Sequence, residues 1–406
     1  MTKSIKNTRA ILAFLFSIVL FDMMGSTILL TVQAFIVKEY NTTALAVSLL
    51  VVIYAACMFF AAPILGRISD RYGRRPILVI SFIGSAIGYF IFGIGGALWI
   101  LYISRAIDGF TGGNMAIVQS YLSDISNEDN KTRNFGLFGA ATALGLIMGP
   151  VFGGLLSQIS LNTPVFVAGT FALIEIVLCL ILLPESLPLN NRNHKTIKLG
   201  DINPFRAIGK MLRRPIIGGL LIISGITEFI FDGVNINIPV YLIHKFNISP
   251  LELGFLMIIS GITLIIIQGG LIGILSKKFK EKTLISMGFI IMAASLVLFT
   301  YVTSLWMIYV IAVTISIGLG LILPVLSALL SNNTRSDEQG EMFGVNSSLL
   351  GLMAALGPLF AGLAYDLIVP NATFWIGAIL LLLSLVFISR LKIIKTQSTD
   401  NESNDG

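Results

Sequence analysis

The sequence predicts an all-α membrane protein of twelve transmembrane helices in two pseudo-symmetric six-helix bundles. Three observations carry that prediction: a composition too apolar for water, twelve apolar runs of bilayer length, and a first half that recurs in the second. Of the 406 residues, 55% are apolar and only 12% charged, about half the charge of an ordinary soluble domain, and the mean hydropathy is +0.90. In water such a chain would expose large apolar patches and aggregate. A lipid bilayer is the partner this surface needs.

A hydrocarbon core of about 30 Å takes roughly 20 residues of helix to cross. Runs of that length lie near 10–37, 44–66, 76–95, 98–122, 134–159 and 164–183, then near 215–242, 250–275, 283–302, 304–330, 342–367 and 372–391. They are continuously apolar, whereas the strands of a membrane barrel alternate. The first run continues past any small-residue cleavage site, so no cleavable signal is expected. The polar stretch 184–213 divides the runs six and six. The expected organisation is a bundle over 1–183, a cytosolic linker over 184–213, a second bundle over 214–395 and a disordered polar tail over 396–406.

The basic residues set the orientation. With the N-terminus inside, the inner segments hold 24 of the 27 Lys and Arg, the opposite side keeps Lys38 and Lys245, and Arg105 lies within the fourth run. That asymmetry is the inside-charge bias of a multi-pass protein. Both termini are expected in the cytosol, with the chain in the cell's inner (plasma) membrane. The same placement accounts for the net charge of +6 without nucleic acid. Cys57 and Cys179 fall in different runs, and His194 and His244 are isolated, so neither a disulfide framework nor a metal site is expected.

The repeat is visible in three segments. FIVKEYNTTALAV (35–47) aligns with YLIHKFNISPLEL (241–253) at an offset of 206, and GRISDRYGRR (66–75) with GILSKKFKEK (273–282) at 207. FG at 135–136 and GPVFGG at 149–154 recur as FG at 343–344 and GPLFAG at 357–362, offset 208. A period this long indicates duplicated halves rather than a solenoid, and in duplicated transporters the substrate site lies between the repeats.

Ionisable side chains at bilayer depth cost several kcal/mol unless paired or hydrated. Arg105 therefore needs a partner, with Asp108 at i+3 and Asp22 as candidates. Asp22, Ser26 and Gln33 share one helix face, as do Glu228, Asp232 and Asn235. Arg105, Asp108, Asn114 and Gln119 occupy a sector of the fourth helix. At the 206 offset Glu228 falls on Asp22. Three polar stripes, on helices one, four and seven, fit a central cavity that gives protons and a small-molecule substrate access to buried acids. Glu175 in helix six is either part of that system or a structural polar group. Gly233 and Pro239 suggest an interruption of helix seven. There is no Ser/His or metal constellation for catalysis and no G-x4-GK[ST] loop, so neither an enzyme nor direct ATP coupling is expected.

Four segments resemble the major facilitator superfamily, and within it the twelve-helix drug:proton antiporters that include tetracycline and multidrug exporters. GRISDRYGRRP (66–76) is similar to the cytosolic signature between helices two and three. The resemblance makes Gly66, Asp70, Arg71, Gly73, Arg74 and Arg75 a conformational switch: Asp70 faces the N-terminus of helix eleven near Met342, Arg74 pairs with Asp124, and the glycines permit close approach and positive φ. SRAIDGFTGGNMA (104–116) resembles the arginine segment of helix four, in which the arginine keeps a nearby carboxylate responsive to substrate. Gly136, Gly145, Gly149, Pro150, Gly153 and Gly154 reproduce the spacing G-x8-G-x3-GP-x2-GG of the antiporter signature in helix five, which tilts the direction to export. LFDMMGS (20–26) resembles the start of those exporters and makes Asp22 the leading proton site. The resemblance implies rocker-switch exchange driven by a proton gradient, with no other cofactor, in a chain whose two halves suffice as a monomer. An uptake symporter or facilitator and a non-transporting receptor are the alternatives.

Overall fold

The computed structural model describes residues 8–127, 130–188, 204–335 and 338–391. The expected tail 396–406, His194 and much of the linker lie outside the described residues. The first half runs α1 (Thr8–Lys38), α2 (Ala44–Tyr72), α3 (Arg74–Ile94), α4 (Leu98–Thr111), α5 (Asn114–Asp124), α6 (Lys131–Leu156) and α7 (Thr163–Ile181). A linker helix, α8 (Pro204–Leu212), leads to α9 (Pro215–Phe246), α10 (Pro250–Ile266), α11 (Ile272–Lys278), α12 (Glu281–Thr300), α13 (Leu305–Asn332), α14 (Gln339–Leu367) and α15 (Ala372–Arg390). A π-helical turn, Ile267–Leu271, joins α10 to α11. Among the described residues eleven helices are long and apolar enough to cross a membrane. The twelfth predicted span, 98–122, is divided into α4 and α5.

That division departs from the sequence expectation of one unbroken helix. Gly112 is extended (φ −63°, ψ 151°) and Gly113 takes φ 127°, ψ 0°, a conformation open to glycine and strained for other residues. The expected interruption of helix seven is a correction in the other direction: α9 is continuous through Gly233 and Pro239. Gly233 is instead a packing residue, because a Cβ there would stand 2.9 Å from the Gly357 carbonyl oxygen of α14.

Close helix pairs follow from small residues that let backbones approach, the main source of helix association in lipid. A Cβ on Gly149 of α6 would overlap the Thr27 hydroxyl of α1 and lie 2.9 Å from the Met24 carbonyl. A Cβ on Gly357 of α14 would meet the Phe229 carbonyl of α9. Gly149–Pro150 and Gly357–Pro358 are the repeated GP pairs, so the same device seats helix five on helix one and helix eleven on helix seven. Pro150 and Pro358 lie inside their helices without ending them.

The halves meet along two seams. On α2 and α14, Ser48 packs at Gly362 and Phe59 at Gly351; on α6 and α10, Gly154 packs at Leu251, Pro150 at Gly254 and Ile147 at Gly261. All these contacts lie between the middle of the helices and the end opposite the linker, here the far end. Toward the linker end, added Cβ atoms on Gly66, Gly136, Gly139, Gly269, Gly270, Gly273 and Gly344 would meet nothing within 4 Å. The halves are closed together at the far end and parted at the linker end.

The linker helix α8 buries Ile208 and Met211 and is held to α14 by ion pairs. Lys210 Nζ lies 2.8 Å from Glu341, and Arg214 reaches both oxygens of Glu338 at 2.6 and 2.9 Å. At its start the Phe205 ring lies 5.8 Å from Phe59 of α2.

Candidate functional site

The ionisable groups near the middle of the helices fall into two sets. In the first half, Asn114 donates to Asp22 Oδ1 at 2.5 Å, and Arg105 pairs with Asp108 at 2.9 Å. Of the two candidate partners for Arg105 the structure selects Asp108. Ser85 of α3 donates to the same carboxylate. The Arg105 guanidinium also lies 5.4 Å from the Tyr89 ring centroid and 5.2 Å from that of Phe92. Its Nε and Nη2 have no hydrogen-bond partner among the described residues, so aromatic faces are what they meet. Asp22 and Asp108 are close enough to interact electrostatically, and Glu175 of α7 feels both. Glu175 is 1% exposed, and its Oε1 is unpartnered among the described residues.

Local sequence explains this depth. A Cβ on Gly88 of α3 would lie 3.0 Å from Asp108 Cβ, and one on Gly109 of α4 only 2.5 Å from the Tyr54 carbonyl oxygen of α2. Three backbones thus crowd around the Arg105–Asp108 pair and exclude water from it. The break at Gly112–Gly113 then starts a new helix beside Asp22. The Gly113 amide donates to Asn114 Oδ1 while Asn114 Nδ2, in the first turn of α5, serves the carboxylate. Interrupted helices whose ends face charged groups are a recurrent feature of transporter sites.

The second set is on α9. Glu228 and Asp232 sit one turn apart, half-buried, and interact electrostatically. Asp232 Oδ2 has no hydrogen-bond partner among the described residues. The repeat thus places an acid in each half, while the arginine occurs in the first half alone at this depth. Gln33 is buried, whereas Gln119 and Asn235 are exposed. Sequence reading passed over Asn237, which is fully buried and donates to the Ala361 carbonyl at 2.8 Å and to Thr373 Oγ1 at 2.7 Å. Its signal was an amide in an apolar run two residues from Asn235, on the opposite side of the helix.

At the linker end the signature residues form a connected lock. Arg74 is 8% exposed and reaches Asp124 at 3.2 Å, Asp70 at 2.5 Å and Ser69 Oγ at 2.7 Å. Asp70 pairs with Arg74 here; its expected place at the N-terminus of α14 belongs to closure at the linker end, which is parted in this structure. Gly73 supplies the positive φ, 108°, at the α2–α3 turn. Gly66 does not: it lies within α2 with open space around it. Arg71 stacks on Tyr72 at 5.5 Å, and Arg75 donates to the carbonyls of Cys179 and Leu180 at the end of α7. The sequence missed Glu185, whose carboxylate accepts from the amides of Arg74 and Arg75 at 2.8 and 3.2 Å. It caps α3 from more than a hundred residues away, beyond the reach of any local capping pattern.

In helix five Gly145, Gly149 and Gly153 seat α1 through Met23, Thr27 and Thr31, Gly154 meets α10, and Gly136 meets nothing. The Major Facilitator Superfamily profile matches residues 14–268 and 220–405. The chain belongs to the Major Facilitator Superfamily. Among curated members of this superfamily, it is 31% identical over 387 residues to the class G tetracycline resistance protein of Vibrio anguillarum, covering 94% of this chain and 97% of that one. It is 28% identical to the class B tetracycline resistance protein of Escherichia coli, covering 91% and 94%. With multidrug resistance protein 2 of Bacillus subtilis (strain 168) it shares 26% identity, covering 90% and 92%. A solved bacterial homologue of the lysosomal transporter Spinster, inward-facing and occupied, superposes with a TM-score of 0.76 at 16% identity, covering 95% of this chain and 98% of that one. As a Major Facilitator Superfamily member the chain is a transporter and not an enzyme.

Proposed function

We propose that this transporter exports small lipophilic molecules in exchange for protons, the two halves alternating between closure at one end and closure at the other. The observation that carries the reading is the first-half set of Asp22, half-buried, and Asp108 and Glu175, buried, of which Arg105 pairs with Asp108. Arg105 compensates one carboxylate. The others are costly as bare charges at that depth, which suits groups that take up and release protons as access changes. Tetracycline and multidrug resistance proteins among the relatives support an exporter of drug-like solutes. The basic residues gathered at the linker end favour that end as cytosolic. In this orientation the described state receives substrate from the cytosol, and protons arriving from the outside displace it after the halves rock. A proton crossing 100 mV gains about 2.3 kcal/mol, enough to drive net export. Glu228 and Asp232 face the exchange from the other half. One chain holds both halves, so a monomer in the bilayer suffices.

In energised everted vesicles, adding substrate should release protons, and Asp22→Asn should abolish that release. Intact exchange in the mutant removes Asp22 from the mechanism. A drug panel in an efflux-deficient host, scored with and without an uncoupler, identifies the substrate. Resistance that survives the uncoupler refutes proton coupling.

A further inference from the structure

The N-terminus of α2 is held by the opposite half. Asp366, one residue before the end of α14, accepts from the Ala44 amide at 3.1 Å and from the Leu45 amide at 2.8 Å. Unpaired amides of a first helical turn need such an acceptor, and the helix dipole favours an anion there. The residue that ordinarily caps a helix is present but idle. Thr43 stands at the N-cap with extended backbone (φ −85°, ψ 168°), yet makes no side-chain cap bond. Its repeat equivalent at offset 206, Ser249, does cap its own helix: its Oγ accepts from the Glu252 amide at 3.3 Å, and Glu252 answers by accepting from the Ser249 amide. Thr43 therefore has the residue type and backbone of a working cap.

We propose that Asp366 is a positioning residue for the transport cycle: it caps α2 across the far-end seam while the halves are closed there, and Thr43 replaces it when they part. Each cap belongs to one state. Asp366 stabilises far-end closure because its partner amides sit on the other half. Thr43 stabilises the parted state because it travels with its own helix. The exchange keeps the α2 amides satisfied throughout and sets the balance between the two states. Lys38, whose ammonium donates to Asn247 at 3.3 Å, and His244, bonded to Tyr365 at 2.9 Å, line one pocket with Thr43, their polar contacts going to Asn247 and Tyr365.

The inference rests on the alternation proposed above, and one experiment separates the two. Spin labels at Gln158 and Val369, exposed at the far ends of the two halves, report far-end separation in the full chain in nanodiscs, with Cys57 and Cys179 replaced by alanine. Asp366→Ala should raise the long-distance population about fivefold, the weight of one helix cap. Thr43→Ala should lower it by a similar factor, and the double variant should return close to the parent distribution. Opposite signs and their cancellation are not outcomes of general destabilisation. A parent that shows two populations which Asp366→Ala leaves unmoved, or a Thr43→Ala shift in the same direction as Asp366→Ala, overturns the cap exchange alone. A single far-end distance in every variant, at acidic and at alkaline pH, overturns the alternation as well.

Discussion

At the residue scale the buried charges divide into those that are compensated and those that are not. Arg105 and Asp108 are both at most 6% exposed in their side chains, and removing one partner of such a pair leaves the other uncompensated at a cost of about 3–5 kcal/mol. Arg105→Ala should therefore lower the melting temperature in detergent more than the double change Arg105→Ala with Asp108→Ala, measured by a thermal-shift series. A double variant less stable than the single one would show that the pair is not the main partner. Spacing made Asp108 and Asp22 equal candidates for the arginine. What decided between them was the tight α2–α3–α4 packing at Gly88 and Gly109, a contact between separate helices that spacing within one helix does not reveal. Asn114 was legible as a polar residue in an apolar run. Its bond to Asp22 was not, because it depends on the break one residue earlier. Glu175 remained open in the sequence for the same reason: only the fold shows α7 bringing it within the field of Asp22 and Asp108.

At the scale of elements, glycines carried two kinds of information, and the sequence did not distinguish them. Gly112–Gly113 breaks a helix, while Gly233 permits contact between two unbroken ones. Spacing alone treats both as glycines in an apolar run. The GP pairs were legible because they recur at a fixed offset, and their packing is testable. Gly149→Ala places a methyl against Thr27 and the Met24 carbonyl, an overpacking worth about 1–3 kcal/mol. Gly136→Ala adds the same methyl where nothing stands within 4 Å. The first should lower the melting temperature by several degrees and the second should leave it unmoved or raise it slightly, through alanine's better helix propensity. Equal effects would mean that helix propensity, not packing, governs α6. The linker helix offers a pH test. Its Arg214 bond holds the Glu338 carboxyl below its ordinary value of 4.5, so the pair contributes stability above pH 4.5 that disappears as pH falls through the lower folded value. Amide exchange over α8 should be faster in Glu338→Gln than in the parent at pH 7, with the difference closing below about pH 4. A difference that persists in acid would assign the anchoring to Ile208 and Met211 instead.

For the whole molecule, the duplication foretold more than the two-bundle plan. The offset between the halves is 206 up to residue 253 and 207 from residue 273, so the second half holds one additional residue between those points. The π turn Ile267–Leu271 lies in that interval. A π turn closes its hydrogen bond one residue later than an α turn, which is how a helix absorbs an insertion without rotating everything downstream by about 100°. Lys277 and Lys278, the counterparts of Asp70 and Arg71 at the offset of 207, follow that turn. Deleting Gly269, on which an added Cβ would meet nothing within 4 Å, should restore an uninterrupted α-helix with little loss of thermal stability. Deleting Ala62 from α2, whose backbone abuts Gly113, should be ruinous by the same assay. The bulge then sits where the two copies differ in length, so that unequal repeat length is readable as a hitch in one helix.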